Sequence, residues 1–443
     1  KGFGAKTEET ILKGIDIAAQ AEQRMRWADA DAIACSLLAH MEGTPGVRQL
    51  RMAGSYRRGK ETVGDLDLLV DSDLGDGAMD RFGQFPDIDE VLVRGDTKMS
   101  VRLKNGLQVD LRVVPAESFG AALQYFTGSK EHNVEIRSRA KQAGLKVNEW
   151  GVFNVDGDVE TYLAGRSEAD VYSALDLPWI PPEIREARSE FEWAAAGDLP
   201  ELVTLEEIRG DLHMHTNATD GKATLKEMAE AARERGLEYI AITDHSKRVS
   251  MAGGLDADRL LAQWAEVDEL NEQFEGLTIL KGIECDILES GGMDLSDEVL
   301  AQGDWIIASV HYGQNQSRQQ ITQRILGAIE NPHVDVVAHP TGRLINRREP
   351  YEVDIDAVFA AAAKHGKMLE LNANPARLDL HDVHCAAAKR HGIPVVICTD
   401  AHSTGGLDVM RYGVLQARRG GLTKKDVANT RGWEDFKKLL GRP

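Results

Sequence analysis

The second half of this chain repeats one pattern seven times, and this repetition constrains the fold more than any other feature. From residue 209 onward, short apolar segments alternate with helical stretches, and each apolar segment ends in a side chain that can bind a metal. Such alternation is typical of βα units built around a parallel sheet. The predicted strand segments are 210–215, 239–243, 280–283, 305–310, 334–338, 368–371 and 395–399, and the predicted helices include 223–235, 256–275, 353–365 and 382–391.

The polar residues that follow these strands predict a metal centre. In parallel βα folds the carboxyl ends of the strands form the active face, so these side chains converge on one rim. A single histidine there is more often a structural residue. A set of acids and imidazoles that converge on one rim requires cations, because without them the acids would repel one another and the imidazoles would lack partners. Imidazole and carboxylate ligands together suit Zn²⁺, Mn²⁺ or Fe. The predicted ligands are His213, His215, Asp220, His245, Glu284, His311, His339, Asp400 and His402.

Three acidic residues in the first half predict a second site. Asp65 and Asp67 open an apolar run with the pattern of a strand, and residues two apart on a strand point to the same face. Asp110 lies in a second alternating segment, residues 107–114. Three adjacent carboxylates can hold two Mg²⁺ or Mn²⁺ ions for nucleotidyl transfer. A Gly-Asp-Leu-Asp motif alone is more often a turn at a strand start, but this spaced set favours a nucleotidyltransferase.

A glycine-containing turn precedes these acids at residues 54–59, Gly-Ser-Tyr-Arg-Arg-Gly. At Gly54 and Ser55 the backbone can approach the oxygens of a triphosphate. Arg58 is predicted to clamp the triphosphate.

The first half resembles the DNA polymerase beta-like enzymes. The resemblance rests on the turn and acid motifs above and on Tyr-Phe-Thr-Gly-Ser-Lys at residues 125–130, which is similar to the thumb segment of that family. It implies that the aromatic pair packs against the sugar of the incoming nucleotide and that Asn133 reaches the minor-groove side. The alternative is an aromatic pair that packs a helix into a core. The implied residues are Tyr125, Phe126, Gly128 and Asn133 for the nucleotide and Arg137 for the template or primer.

The second half resembles the polymerase and histidinol phosphatase (PHP) superfamily, with a competent residue at all nine ligand positions. The resemblance implies three metals in a distorted (βα)7 barrel. One metal would be held by His213, His215, Glu284 and Asp400, the second by Glu284, His311 and His339, and the third by Asp220, His245 and His402. Arg343 and Arg377 are predicted DNA phosphate contacts, although either is equally well explained as a surface or salt-bridge arginine.

Taken together, the halves resemble bacterial family X DNA polymerases, an α/β and α+β multidomain class. The expected parts are a remnant of a helix-hairpin-helix fingers region at 1–30, a nucleotidyltransferase palm at 31–115, a thumb at 116–174, a linker at 175–208 and a PHP barrel at 209–443. Gly2, Gly4 and Lys6 are predicted to contact a DNA backbone, although a simple capped helix start explains this pattern equally well. The chain begins without Met inside this motif, so we expect native sequence upstream. By the same resemblance, we expect the given sequence to lack the lyase-like domain and most of the fingers that are typical of the family.

The composition fits this interpretation only in part. The net charge of −20 is unusual for a DNA-binding chain, but residues 101–150 carry a local excess of three positive charges. The chain has neither a signal peptide pattern nor an apolar run long enough to cross a membrane. Four widely spaced cysteines without CxxC motifs fit a reducing compartment. We expect a cytoplasmic, nucleoid-associated monomer.

The family resemblance implies a DNA polymerase that fills short repair gaps. The PHP domain would add a metal-dependent 3′–5′ exonuclease and incision at abasic sites, with DNA and dNTPs as partners. Two alternatives stay open at this point. One is a small-molecule phosphatase of the histidinol phosphatase type beside a decayed transferase, and the other is a DNA-end scaffold without catalysis. The identity of the barrel metal, proofreading by the nuclease, gap preference and the relative placement of the modules do not follow from the sequence.

Overall fold

A computed structural model describes residues 24–73 and 75–440. The chain divides into two compact units, Lys1–Leu199 and Pro200–Pro443. None of the helices in the described ranges has the length and apolar character required to cross a membrane. The predicted DNA-contacting residues Gly2, Gly4 and Lys6 lie outside the described residues.

The first unit is built around a five-stranded mixed sheet, in which only β4 and β7 pair in parallel. A separate three-stranded antiparallel sheet follows it in the chain. The strands are β1 Met25–Arg26, β2 Val47–Met52, β3 Thr62–Val63, β4 Asp65–Ser72, β5 Ile88–Arg94, β6 Lys98–Leu103, β7 Gln108–Val114, β8 Leu145–Asn148, β9 Gly151–Asp156 and β10 Val159–Ala164.

Helices pack on the five-stranded sheet, and their buried side chains form the hydrophobic core together with those of the strands. In the first of them, Ala30, Ala34, Leu37 and Met41 are wholly buried, at the spacing of one helix face. The helices of this unit are α1 Trp27–Met41, α2 Gly54–Arg57, α3 Gly75–Gly83, α4 Phe119–Thr127, α5 Lys130–Gln142, α6 Glu168–Ser173 and α7 Glu190–Ala196.

The proline-containing segment after α6 packs into the first unit. Arg185 is wholly buried, and its Nη1 lies 2.6 Å from Oε1 of Glu168. Glu190 is also wholly buried and contacts Nδ1 of His132 at 2.9 Å. Residues up to Leu199 therefore belong to this compact unit, and Arg185 and Glu190 contribute to its interior, although the segment carries the prolines that predict a linker.

The second unit is a seven-stranded parallel sheet whose strands are neighbours in chain order. A parallel bridge between Met214 and Ala401 brings the ends of the first and last strands together, so the sheet is a nearly closed barrel. The expected fold class, with a distorted (βα)7 barrel in the second half, is confirmed. The strands are β11 Gly210–Asp211, β12 Tyr239–Ile242, β13 Thr278–Asp286, β14 Trp305–Ser309, β15 Val336–Val337, β16 Met368–Asn372 and β17 Val395–Cys398.

Helices connect these strands, and the last one contributes to the barrel interior. Phe436 is wholly buried, and its ring centroid lies 5.0 Å from that of Tyr239 and 5.7 Å from that of Trp305. The helices are α8 Leu225–Glu234, α9 Ala257–Asn271, α10 Asp297–Leu300, α11 Arg318–Glu330, α12 Ile355–His365, α13 Asp382–Arg390, α14 Met410–Arg419 and α15 Trp433–Leu440.

Candidate active sites

The three acidic residues of the first unit lie on two adjacent strands. Asp65 and Asp67 begin β4, and Asp110 lies on β7, where it is the direct register partner of Asp67. Adjacent strands lie about 4.8 Å apart, so residues paired in register have neighbouring side chains. The parallel pairing of β4 with β7 thus brings together carboxylates from two separate motifs.

The electrostatics of this group favour a bound cation. Burial and the charges of Asp65 and Asp110 raise the pKa of Asp67 to about 7. Burial and the charge of Asp110 also raise the pKa of Asp65. Burial opposes ionisation of Asp110 as well, but hydrogen bonds from Lys98, Gln108 and Ser100 outweigh it and lower the pKa of that carboxyl. A divalent cation among these carboxylates would remove the repulsion, so the site fits such an ion.

Gly54 closes one side of this group. Its φ is +66°, and a Cβ added there would lie 2.3 Å from Oδ2 of Asp67. Two independent constraints, the backbone angle and the space beside the carboxylate, therefore require glycine at this position.

A cavity of about 470 Å³ connects the acids with the thumb segment. Its lining includes Asp65 and Asp67 and every residue predicted to bind the nucleotide, together with Arg137, whereas Asp110 does not line it. Sequence analysis missed four further lining residues, three of them basic. The lining residues are Arg24, Gly54, Ser55, Arg58, Lys60, Asp65, Asp67, Tyr125, Phe126, Thr127, Gly128, Lys130, Asn133 and Arg137.

Neighbouring groups hold three of the predicted nucleotide-binding side chains in place. Nε of Arg58 donates to Glu186 at 3.0 Å. The side-chain amide of Asn133 donates to the carbonyl of Tyr125 at 2.7 Å. The guanidinium of Arg112 lies 4.2 Å from the ring centroid of Phe126. These contacts fix the positions of side chains at the cavity wall before any ligand binds.

The structure brings all nine predicted ligands of the second unit together at the carboxyl ends of the barrel strands. Glu284 lies at the centre, 2.9 Å from Nε2 of His339, 2.9 Å from Nδ1 of His245 and 3.3 Å from Nε2 of His311. Three overlapping groups have the geometry to hold a metal: His215–Asp220–His245–His402, His213–His215–Asp400, and His245–Glu284–His311.

Two histidines take part in more than one of these groups. His215 lies 3.1 Å from Asp400 through Nε2 and 3.9 Å from Asp220 through Nδ1. His245 lies between Glu284 and Asp220, at 2.9 Å and 3.5 Å. The ligands therefore form one continuous cluster, in which neighbouring metal positions share donor residues.

Several buried ring nitrogens in this cluster have no hydrogen bond to the described residues. They are Nε2 of His213, Nδ1 of His215 and Nδ1 of His339. Buried polar atoms are nearly always paired in folded proteins. Imidazole nitrogens that lack a hydrogen-bond partner beside carboxylates are suitable metal donors once deprotonated, so the cluster fits a multinuclear divalent site.

The charges in the cluster reinforce this fit. Burial would raise the pKa values of Glu284 and Asp400, but the surrounding imidazoles lower both pKa values well below their ordinary range. Burial lowers the pKa of His215 to about 4, with a further contribution from His245. The acids thus stay ionised and His215 stays neutral at pH 7. Burial would also lower the pKa values of His213, His245, His311 and His402, but the neighbouring carboxylates outweigh it and raise them. Metal binding would therefore displace protons from these four imidazoles.

A second layer of acids orients the ligand imidazoles, and sequence analysis missed it. Oε1 of Glu370 lies 2.6 Å from Nδ1 of His213, and Oε2 of Glu370 accepts the backbone N–H of His339 at 2.7 Å. Oδ1 of Asp286 lies 3.1 Å from Nδ1 of His311. Such partners fix the tautomer and ring orientation of a ligand. Glu370 lies inside the apolar strand β16, and Asp286 is the last residue of β13. An acidic residue within or at the end of a buried strand was therefore the available sequence signal.

The two predicted phosphate-binding arginines differ in position. Arg377 lines the 430 Å³ cavity above the ligands, and its Nε lies 3.5 Å from Oδ2 of Asp400. Arg343 is buried, donates to the carbonyl of Leu378 and does not line this cavity. The structure therefore brings Arg377, but not Arg343, to the metal centre.

Comparisons with known proteins match both halves. Residues 122–186 match the DNA polymerase beta thumb family, and residues 211–374 match the PHP domain family. The chain is 44% identical over 444 residues to the DNA polymerase/3′-5′ exonuclease PolX of Bacillus subtilis (strain 168), covering 100% of this chain and 77% of that protein. A probable phosphatase of Thermoanaerobacter sp. (strain X514) is 30% identical over 232 residues, covering 50% of this chain and 89% of that protein. A probable phosphatase of Caldanaerobacter subterraneus is 32% identical over 203 residues, covering 43% and 75%.

Proposed function

The chain belongs to the bacterial family X DNA polymerases that carry a PHP domain, and from this membership we propose that it is a DNA polymerase and 3′–5′ exonuclease with one active site in each unit. The observation that carries this proposal is the presence in one chain of two separate sites. One is a carboxylate triad, two of whose members line a cavity together with the thumb segment, and the other is a cluster of nine predicted ligands at the end of a barrel.

In the first unit, Asp65, Asp67 and Asp110 would hold two Mg²⁺ or Mn²⁺ ions. When bound, these ions stabilise the charge that develops on the attacking and leaving oxygens of nucleotidyl transfer. The chain supplies the rest of the site. Arg58 and Lys60 provide positive charge for the triphosphate from the cavity wall. The backbone at Gly54 and Ser55, which also line the cavity, would approach the oxygens of the triphosphate.

Residues of the thumb segment would position the incoming nucleotide and the primer. Tyr125 and Phe126 provide an edge-to-face aromatic pair in the cavity wall, with ring centroids 5.2 Å apart, and this pair would pack against the sugar. Gly128 lies against Arg58, whose Nη1 would be 3.2 Å from an added Cβ, and Asn133 would contact the minor-groove side of the new base pair. Arg137 would bind a backbone phosphate of the template or primer.

In the second unit, the nine ligands would hold up to three divalent metals, with Zn²⁺, Mn²⁺ and Fe suited to their donor set. The metals supply electrophilic stabilisation of a phosphodiester that is attacked by water. Hydrolysis adds the oxygen of water to phosphorus and breaks the bond to the 3′ oxygen of the penultimate nucleotide. The products are a 5′-mononucleotide and a shortened strand with a 3′-hydroxyl. Arg377 would hold the phosphate, and Glu370 and Asp286 keep the ligand imidazoles oriented.

We further propose that the substrates are DNA ends at short repair gaps, with dNTPs as the second substrate, and that the barrel also incises abasic sites. The palm at 31–115, thumb at 116–174, linker at 175–208 and barrel at 209–443 remain our proposed boundaries, and we propose a monomer associated with the nucleoid.

A second function has one observation in its favour. The relatives that match the barrel alone are named probable phosphatases, which favours a small-molecule phosphatase of the histidinol phosphatase type. The whole-length polymerase relative and the complete carboxylate triad favour the first proposal.

A primer assay separates the two functions. The purified chain is incubated with Mn²⁺ and a 5′-labelled primer on a gapped template, with and without dNTPs, and in parallel with histidinol phosphate. We expect extension with dNTPs and shortening without them. Release of phosphate from histidinol phosphate, with no change in the primer, would replace this proposal with the phosphatase function.

A further inference from the structure

Apolar residues, here called the apolar strip, line part of the metal cavity in the second unit, although metal binding requires only the polar ligands. Val249, Met251, Ala252 and Tyr312 line the same cavity as the ligands. Met251 is 91% exposed, whereas the next most exposed large apolar side chain in the described residues is 63% exposed. Of these four residues, Met251 is the exposed one, and apolar side chains that face a polar cavity are more typical of a binding surface than of ordinary protein surface.

The residues of the strip lie close along the chain to the predicted metal ligands. The segment that carries Met251 follows His245, forms a short 3-10 helix at Ser250–Ala252 and ends at Gly253, with φ of 72°. Val249 and Ala252 in the same segment are almost fully buried, so they anchor the backbone that carries the exposed methionine.

The aromatic residue of the strip lies in a second loop, which follows a different strand. Tyr312 directly follows the ligand His311. The guanidinium of Arg248 lies 4.6 Å from the centroid of its ring, and Arg248 is itself ion-paired with Glu289. Two loops that carry metal ligands thus also supply the two large apolar groups of this wall.

The chemistry of the wall identifies what it would bind. A thioether and an aromatic ring make favourable contacts with flat π systems, and nucleobases stack on such side chains with little dependence on base identity. Arg377, on the lining of the same cavity, offers positive charge for a phosphate. A ligand with one phosphate and one flat apolar group therefore matches the cavity better than a phosphate ester with a small polar substituent.

We propose that Met251 and Tyr312 form a base-binding wall that holds the base of the 3′-terminal nucleotide while its phosphodiester lies at the metals. The wall makes the nuclease remove terminal nucleotides that carry a base faster than it cleaves before a residue that lacks one, so incision at an abasic site would be the slower reaction. This inference rests on the proposed exonuclease function and adds its specificity. Because the wall itself offers apolar surface, we expect all four bases to be accepted.

The test compares two 5′-labelled single-stranded oligonucleotides that differ only at the 3′ end. One ends in thymidine and the other in a tetrahydrofuran analogue with the same phosphodiester and no base. The kcat/KM of shortening without dNTPs is measured for each oligonucleotide with the wild-type chain, Met251→Ala, Tyr312→Ala and Tyr312→Phe. Leu205→Ala is the matched control, because Leu205 is a 43% exposed apolar residue of the same unit that does not line the cavity.

We expect Met251→Ala and Tyr312→Ala each to lower the ratio of kcat/KM for the thymidine end to that for the base-free end by about tenfold. The change should appear mainly in KM, because the wall binds the base equally in the ground and transition states. Tyr312→Phe and Leu205→Ala should keep the wild-type ratio, and thermal unfolding should confirm that each variant is folded.

Three results would overturn the inference, and they can be told apart. In the first, the wild type shortens the thymidine end, and Met251→Ala and Tyr312→Ala have the wild-type ratio of kcat/KM for the two ends. The base-binding wall is then wrong and the exonuclease function stands. If the wild type shortens neither oligonucleotide, the proposed exonuclease function fails and the wall fails with it. Equal loss of kcat on both ends in the alanine variants would indicate a structural role and would also contradict the wall.

Discussion

Gly54 lies against the carboxylate of Asp67 in a backbone conformation that other residues rarely adopt. A methyl group at this position would displace Oδ2 of Asp67, to which it would be 2.3 Å away. Displacement of a catalytic group by about 1 Å can cost about 100-fold in rate. We therefore expect Gly54→Ala to reduce primer extension by about 100-fold and to leave primer shortening unchanged.

The matched control for this prediction is Gly43→Ala. Gly43 has a similar φ of +72°, but no atom lies within 4 Å of the position that a Cβ would take. The change should cost about 1 kcal/mol of stability through backbone strain alone and leave extension at the wild-type rate. Equal extension rates in the two variants would show that the contact with Asp67 has no catalytic consequence.

Glu370 has a comparable role in the barrel, since each of its oxygens accepts one hydrogen bond that orients a metal ligand or its backbone. Glutamine has only one accepting oxygen, so Glu370→Gln must place an NH₂ group against either His213 or the amide of His339. We expect a lower metal content in the purified protein and about 10- to 100-fold slower primer shortening, with extension unchanged.

Metal content is measured by mass spectrometry of the protein after dialysis, and Glu352→Gln serves as the control because Glu352 is exposed. A full metal load and wild-type shortening in Glu370→Gln would contradict the assigned orienting role.

At the scale of elements, an ion-pair network joins α2, α6 and the segment before α7. Glu168 is 7% exposed and contacts both Arg57, at 2.7 Å, and Arg185, at 2.6 Å. Burial alone would raise the pKa of Glu168, but the two guanidinium groups outweigh it and lower the pKa to about 2. Removing this carboxylate would leave two arginines without their shared partner inside the unit.

We expect Glu168→Gln to lower the free energy of unfolding of the first unit by about 3 kcal/mol at pH 7. The contribution of a carboxyl with a depressed pKa is complete above its unfolded pKa of 4.5 and is lost as pH falls towards about 2. The difference between wild type and Glu168→Gln should therefore shrink between pH 5 and pH 3.

Urea denaturation across this pH range measures the difference, with hydrogen exchange of peptides around residues 168–186 to assign the transition to the first unit. Glu160→Gln is the control, because its ion pair with Lys146 is exposed and should contribute less than about 1 kcal/mol. A difference that stays constant from pH 5 to pH 3 would show that the Glu168 charge does not stabilise the unit.

The sequence predicts elements well where the signal is local. The seven barrel strands and their ligands follow from short apolar runs, each ending in a polar residue, because the chain itself carries both parts of that signal. Helix α11 at Arg318–Glu330 was not among the predicted helices, although Ser317 and Gln320 form a capping box that marks its start. The sequence therefore contains a local signal for the start of this helix.

Other features depend on contacts that no local pattern encodes. The buried pairing of Arg185 with Glu168 joins residues 17 positions apart and draws a proline-containing segment into the first unit. The role of Glu370 depends on contacts with His213, 157 residues away in the chain. Arg343 and Arg377 have the same residue type and similar surroundings in sequence, and only the fold places Arg377 on the metal cavity.

For the whole molecule, the two sites draw on separate residues in separate compact units. The carboxylate triad and its cavity belong to the first unit, and the metal cluster and its second layer of acids belong to the second. No residue is shared between the two cavities in the described part of the chain. Chemistry at one site should therefore survive loss of the other.

The most direct test of this account is a 5′-labelled primer on a gapped template with Mn²⁺, with and without dNTPs, for wild type, Asp67→Asn and His339→Ala. The account predicts that Asp67→Asn abolishes extension and keeps shortening, and that His339→Ala abolishes shortening and keeps extension. Loss of both activities in either variant, or wild-type behaviour in both variants, would contradict the claim that this chain contains two independent active sites at the assigned residues.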